Sequence, residues 1–352
     1  MQSMNALTDY DIASLAALIG SWGHKPSHAG RLLGYFYRHA GQPVDFDRLL
    51  IPRALGEKLT AEVPLRQSRV IARTQAADGT VKLLIEFDGG GSVESVLMPA
   101  HRNERAAGCV SSQIGCPMGC DFCATTQAGL VRNLTAGEIA EQFLHLKALA
   151  IQMRRKLQTV VFMGMGEPML NLENVIGGIR LIADPVLGAV GWRNVNVSTV
   201  GIVPAMDRFT DANLNVNLTV SLHAPDDQTR ARIIPAAQRF PVADIIAAAK
   251  RFLAASKLFP TIAYCLLDGI NDSDEHAGRL ADLMEGFRAH VNLIPYNHIG
   301  PGISGTVYRP SPPERLRQFL RILHARKVVA HGRESRGSDV HAACGQLRAA
   351  YS

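Results

Sequence analysis

The sequence predicts an α/β protein: a partial (β/α)6 barrel preceded by a small helical domain and a β-hairpin segment. Three observations predict it. After Arg105, apolar strand-like runs alternate with amphipathic helical patterns. The polar residues of chemical interest sit where those runs end. Before residue 100 the apolar period is first helical and then alternating.

The chain has 352 residues, enough for a sizeable core in one large domain or two ordinary ones. With 47% hydrophobic and 19% charged residues it is neither disordered nor collagen-like. The N-terminus carries Asp9 and Asp11 where a signal peptide would be basic, and no run of about 18 apolar residues occurs. These features predict no membrane span and a reducing cytoplasm. Six cysteines are too few for a disulfide scaffold of this length.

Taken in order, residues 1–66 form a helical accessory domain, with apolar positions at helical spacing in DIASLAALIG and RLLGYFYRHA. Residues 67–100 read as a hairpin or small meander: RVIART, the Asp78-Gly79 turn, TVKLLIEF, the Gly89 to Gly91 run and SVESVLMP. Residues 101–352 hold the barrel. Its strand runs are CVSSQI, TVVFMGM, NVNVSTV, VNLTVSL, TIAYCLL and VNLIPY, with a last one at VVAH. Helical patterns lie between them, and Thr135 with Glu138 marks one start as a capping box. A doubly wound sheet is the alternative architecture. In a barrel the strand ends share one face, so Cys116, Cys120, Cys123, Gly166, Glu167, Ser198, Ser221, His223 and Asn297 would converge there.

GCPMGCDFC has the spacing C-x3-C-x2-C. Structural zinc takes four protein ligands and ordinary iron-sulfur sites four thiolates; this loop supplies three. Three thiolates on a four-iron cluster would leave one iron open to a substrate. Zinc, or a cluster of buried thiols, is the competing reading. Between Arg309 and Arg348 nine basic residues face three acidic ones, half or more of the net +6. That stretch is either a solvated helix face or a phosphate-contacting surface.

C-x3-C-x2-C with an aromatic residue, Phe122, before the last cysteine resembles the motif of radical S-adenosylmethionine (SAM) enzymes. CVSSQIGCPMGCDFC, TTQAGLVRNLTAGEI, MGMGEPMLNLENV, NVSTVGIVPAM, SLHAPDD, LIPYN and HAACGQL, in order from about Val93, resemble the radical-SAM RNA adenosine methyltransferases of the RlmN and Cfr type. The resemblance implies a radical-SAM barrel with a 4Fe-4S cluster on Cys116, Cys120 and Cys123. It implies a SAM site of Gly166, Glu167, Ser198, Ser221, Leu222, His223 and Asn297. Cys344 would carry the methyl group, Glu94 would take a proton from the adenine carbon, and Cys109 would form a transient disulfide with Cys344 to release the product. Cys265 is expected in the core. The polar, glycine-rich surroundings of Cys344 suggest a mobile segment.

The implied substrate is adenosine in 23S ribosomal RNA, and tRNA as a further one, with C2 favoured over the C8 of the Cfr branch. A cytoplasmic electron donor such as flavodoxin is the implied partner, and the chain is expected to be a monomer. Asn297 to Pro313 does not closely follow the family pattern, a departure that bears on RNA docking more than on the chemistry. A radical-SAM enzyme with another substrate, or a non-catalytic RNA-binding protein with structural zinc, are the competing functions.

Overall fold

The computed structural model describes residues 5–100 and 104–348. Helix α1 (Ile12–Ser21) starts at Asp11, whose carboxylate accepts the Ser14 N–H at 2.7 Å. Helices α2 (His28–Arg38) and α3 (Arg53–Glu62) follow. The α2 pattern buries Leu32, Leu33, Phe36 and Tyr37, and these join the same apolar core as the sheet below them.

Strands β1 (Ser68–Gln75), β2 (Val81–Phe87) and β3 (Ser92–Pro99) form an antiparallel meander. β2 alternates buried and half-buried residues, whereas β3 is buried nearly throughout because it pairs on both sides. β4 (Arg105–Cys109) pairs antiparallel with β3 and opens the parallel region. The expected run CVSSQI is not one strand. β4 ends at Cys109, and β5 (Gln113–Gly115) pairs instead with β6 (Leu130–Asn133) in a separate two-stranded sheet. Side chains take over the ladder at the break: Gln142 accepts the Ser111 N–H at 2.7 Å and donates to the Ser111 carbonyl at 3.0 Å, and Asn171 donates to the Ser112 carbonyl at 2.8 Å.

Helix α4 (Ala136–Gln152) carries the expected Thr135 and Glu138 capping box. Glu138 also makes a two-pronged pair with Arg132 of β6, which fixes the small hairpin to the helix start. The chain then alternates β7 (Lys156–Phe162), α5 (Leu172–Ala183), β8 (Val195–Thr199), α6 (Val203–Asp211), β9 (Asn217–Ser221), α7 (Asp227–Ile233), α8 (Val242–Ser256), β10 (Thr261–Leu266), α9 (Asp274–Leu283), β11 (His290–Pro295), α10 (Pro313–Ala325) and β12 (Val329–Gly332). Strands β4 and β7 to β12 are parallel neighbours in that order, and β12 matches the last expected run. The ten-stranded sheet ends at β1 and β12 with no pairing between them among the described residues, so the barrel is partial.

Gln142 reaches from α4 to Ser111 and also accepts the Ser95 hydroxyl at 2.9 Å. Gln142→Leu strands these buried groups and should lower the unfolding free energy by about 2–4 kcal/mol, measured by urea denaturation.

Candidate active site

The cysteine loop leaves the end of the β5 strand through Gly115, whose φ of +76° and close approach exclude a side chain: a Cβ would lie 1.9 Å from the Gly129 carbonyl oxygen. The Cys116 N–H donates to that carbonyl at 2.9 Å, the Cys123 N–H to the Cys120 carbonyl at 3.0 Å, and the Gly119 N–H to Thr126 Oγ1 at 2.8 Å. The loop is therefore folded on its own hydrogen bonds. Burial pushes the Cys116 thiol up to about 12 and raises Cys120 and Cys123 as well, with Cys116 and Cys123 adding to the rise at Cys120. Such thiols ionise only against a strong local positive charge. Three soft donors on one loop fit an iron-sulfur cluster. Among the described residues no three His, Cys, Asp or Glu side chains converge on a single metal ion, a convergence that a multi-iron cluster does not require.

The divergent stretch after Asn297 folds over this loop. Asp121, between Cys120 and Phe122, accepts the Ser304 N–H at 2.8 Å, the Ser304 hydroxyl, and the Tyr308 hydroxyl at 2.8 Å. Gln127 donates to the Pro301 carbonyl at 3.0 Å. Phe122, Cys265, Leu267, Tyr296 and Tyr308 build a second apolar core behind the cysteines, so Cys265 is packed as expected.

The parallel strand ends bring the other expected residues to the same face. Gly166 has a φ of +99°, and a Cβ there would meet the Gln113 backbone nitrogen at 2.7 Å. Glu167 is buried, and its carboxylate accepts the N–H groups of Met169 and Val200, both at 2.9 Å. It thus ties the loop after β7 to the end of β8. Ser198 and Ser221 meet at 3.1 Å between their hydroxyls. His223, at φ +60°, stacks edge-on against Phe122 and accepts the Cys265 N–H on Nδ1 at 2.9 Å; burial lowers it to about 3, so it is neutral. Arg230 of α7 is buried and donates to the carbonyls of Leu222 and Val200, with Cys120, Asp227 and Glu167 within electrostatic reach.

The segment carrying Cys344, expected to be mobile, is docked here by hydrogen bonds from several elements. Its glycines serve left-handed positions, Gly337 at φ +66° and Gly345 at +82°, and its polar groups are paired. Asn297 donates to the Cys344 carbonyl at 3.1 Å, Ala124 N–H to Gly345 at 2.7 Å, and Thr125 to Leu347 at 2.7 Å. Glu94 accepts the Arg348 N–H at 2.6 Å. All six cysteines are free thiols. Cys109 is buried at the end of β4 within electrostatic reach of Cys344, which in turn feels Cys123. Burial pushes Cys109 up to about 12, and Cys344 is raised in the same direction although the residue is exposed.

A cavity of about 660 Å3 opens beside this segment, lined by Lys82, Glu94, His298, His341, Gln346 and Arg348 among others. Asp121, Arg230 and Lys82 were not singled out by the sequence, because their partners lie far away in the chain. The basic stretch divides between faces. Arg326 and Lys327 precede β12 and lie at the opposite end of the strands, and Arg326 pairs with Asp282; Arg333 and Arg336 follow β12 on the cysteine face.

A Radical SAM superfamily model matches residues 110–281. A probable dual-specificity RNA methyltransferase RlmN from Opitutus terrae is 53% identical over 98% of this chain and 97% of its own. The relative of the same name from Thermosynechococcus vestitus is 39% identical over 96% of both chains. The crystal structure of a radical SAM methyltransferase from Sphaerobacter thermophilus superposes with a TM-score of 0.91 at 38% identity, over 98% of this chain and 99% of that one.

Asp121→Ala removes the anchor between the cysteine loop and the 298–308 strap. After anaerobic loading with iron and sulfide, the variant should lose iron to a chelator about tenfold faster, the equivalent of about 1.4 kcal/mol of charge-assisted hydrogen bonding. An unchanged rate would show that the strap does not hold the loop.

Proposed function

The chain belongs to the RlmN family of radical-SAM RNA methyltransferases, and from that premise we propose that its site methylates C2 of an adenosine in 23S ribosomal RNA and in tRNA. The observation that carries this reading is the gathering of Glu94 and Cys109, on the paired strands β3 and β4, with Cys344 from the far end of the chain, beside the loop of Cys116, Cys120 and Cys123. A radical-SAM enzyme without a methyl-carrying step has no use for Cys109 and Cys344.

Cys116, Cys120 and Cys123 would hold the 4Fe-4S cluster, which supplies the single electron that cleaves the sulfonium of SAM to a 5'-deoxyadenosyl radical. Gly166, Glu167, Ser198, Ser221, Leu222, His223 and Asn297 would bind SAM. Glu167 spends its carboxylate on backbone amides, so its part is to shape the loop that presents Gly166. Cys344 accepts a methyl group on sulfur and presents the derived carbon to the adenine ring, where a covalent RNA–protein link forms. An amidine carbon is too weak a nucleophile for direct methyl transfer, which is why a carrier is needed. Glu94 takes the proton from that ring carbon. Cys109, as the thiolate, attacks the Cys344 sulfur; the S–S bond forms, the bond from that sulfur to the methylene carbon breaks, and the carbon takes up a proton to leave as the methyl group of the base.

The disulfide must be reduced by a thiol reductant in every turnover, which supports a cytoplasmic setting; the single electron for SAM cleavage calls separately for a donor such as flavodoxin. No helix among the described residues is long and apolar enough to cross a membrane. The protein works as a monomer in this reading. The relatives' description as dual-specificity RNA methyltransferases supports two RNA substrates, and their match to the RlmN branch supports C2.

Nucleosides from RNA treated with the reduced, cluster-loaded enzyme should contain 2-methyladenosine by mass spectrometry; 8-methyladenosine would move the chain to the Cfr reaction. Cys344→Ala should cleave SAM but leave RNA unlabelled, and normal methylation by that variant would overturn the mechanism. Cys109→Ala should trap RNA linked to the protein through Cys344, visible as a retarded band on a denaturing gel.

A further inference from the structure

The antiparallel meander contributes more than a frame. Its register sets Leu84 opposite Glu94 and Lys82 opposite Val96, while Thr74 faces Lys82 and Ala72 faces Leu84. Cross-strand partners and residues two apart share one side of a sheet, so Ala72, Thr74, Lys82, Leu84 and Glu94 present a single surface. That surface is one wall of the 660 Å3 cavity, and the segment carrying Cys344 forms another through His341, Gln346 and Arg348.

Lys82 stands where the two walls meet. Its ammonium lies 2.7 Å from Glu94 Oε1 and donates to the His341 carbonyl at 3.1 Å. Glu94 Oε2 accepts the Arg348 N–H. The side chains of Lys82 and Glu94 are 15% and 7% exposed, so neither charge is well hydrated and each depends on the other. The two carboxylate oxygens differ in kind. Oε1 is held by the ammonium of Lys82 from the neighbouring strand of the same sheet, whereas Oε2 is held by an N–H of the carrier segment, which has to yield for that oxygen to reach a base.

We propose that Lys82 is a positioning residue for proton removal: it holds the Glu94 carboxylate turned into the cavity when Arg348 gives way to the target adenosine. The inference rests on the function proposed above. In the step concerned the ring C–H bond breaks, its electron pair restores the aromatic ring and the proton passes to the free Glu94 oxygen, while the unpaired electron left by radical addition goes to a one-electron acceptor, a role the oxidised cluster would fill. Without that ammonium Oε1 loses its partner on the meander, and the carboxylate is free to turn away from the ring proton it must meet. Methyl transfer to Cys344 and formation of the RNA link precede this step and do not use Glu94.

The test is Lys82→Met beside Lys82→Arg in the full-length, cluster-loaded enzyme, with a ribosomal RNA fragment as substrate. Protein mass spectrometry reads methylation of Cys344, a denaturing gel reads the RNA–protein link, and nucleoside analysis reads released product. Lys82→Met should methylate Cys344 as the wild type does, accumulate the covalent link at least tenfold and lose product accordingly. Lys82→Arg should restore most of the release, because a guanidinium can make the same pair. Lys82→Gln, with the same expectation as Lys82→Met, replaces it if that variant is insoluble. Wild-type product release by Lys82→Met, loss of Cys344 methylation in it, or failure of Lys82→Arg to improve on it would each overturn the proposal. A wild-type enzyme that forms no methylated adenosine would overturn the functional reading itself, and this inference with it.

Discussion

Seven strands from β4 to β12 run parallel, and that constraint governs everything on the cysteine face. Parallel neighbours connected by helices place every strand exit at the same end of the sheet. Residues separated by more than a hundred positions, such as Gly166, Ser221 and Asn297, therefore need no individual device to meet. What does need a device is the first exit, because the chain must leave the sheet there to build the cysteine loop. Gln142, Asn171 and Ser111 supply it by capturing backbone groups that the ladder gives up.

The cysteine loop then depends on two kinds of support. Its own backbone bonds and glycines define its path. The strap after Asn297 and the core around Phe122 close it from the far side, with Asp121 as the link. A thiolate site in so apolar a setting is costly without bound metal, and burial raises all three thiols accordingly. The cost has a benefit: the same low dielectric strengthens every charge interaction made once the site is loaded.

Several groups that hold Cys344 in place are also those expected to act on what Cys344 carries. Asn297 binds its carbonyl, Glu94 binds the N–H four residues on, and Lys82 joins Glu94 to the carbonyl of His341. Chemistry at the carrier is thus coupled to its release. A covalent RNA–protein intermediate suits that arrangement, since the carrier must be held for one step and let go for the next.

The sequence by itself determined the elements and the chemistry of the cysteine loop. Apolar period is a local property, so the meander, the capped α4 and the runs that became β7 to β12 were legible, and so was C-x3-C-x2-C, whose three ligands lie within eight residues. Resemblance extended that reading to Glu94, Cys109 and Cys344 without saying how they meet. Tertiary structure decided the rest. The break after Cys109 was hidden because the partners that cause it, Gln142 and Asn171, lie about thirty and sixty residues away. The contacts that dock the Cys344 segment were hidden for a related reason. Glycine and polar side chains read as flexibility in isolation, but they become left-handed turns and hydrogen bonds once Lys82, Glu94, Thr125 and Asn297 surround them. Asp121, Arg230 and Lys82 carry no local pattern at all: a buried charge acquires its meaning from the partners that the fold brings to it.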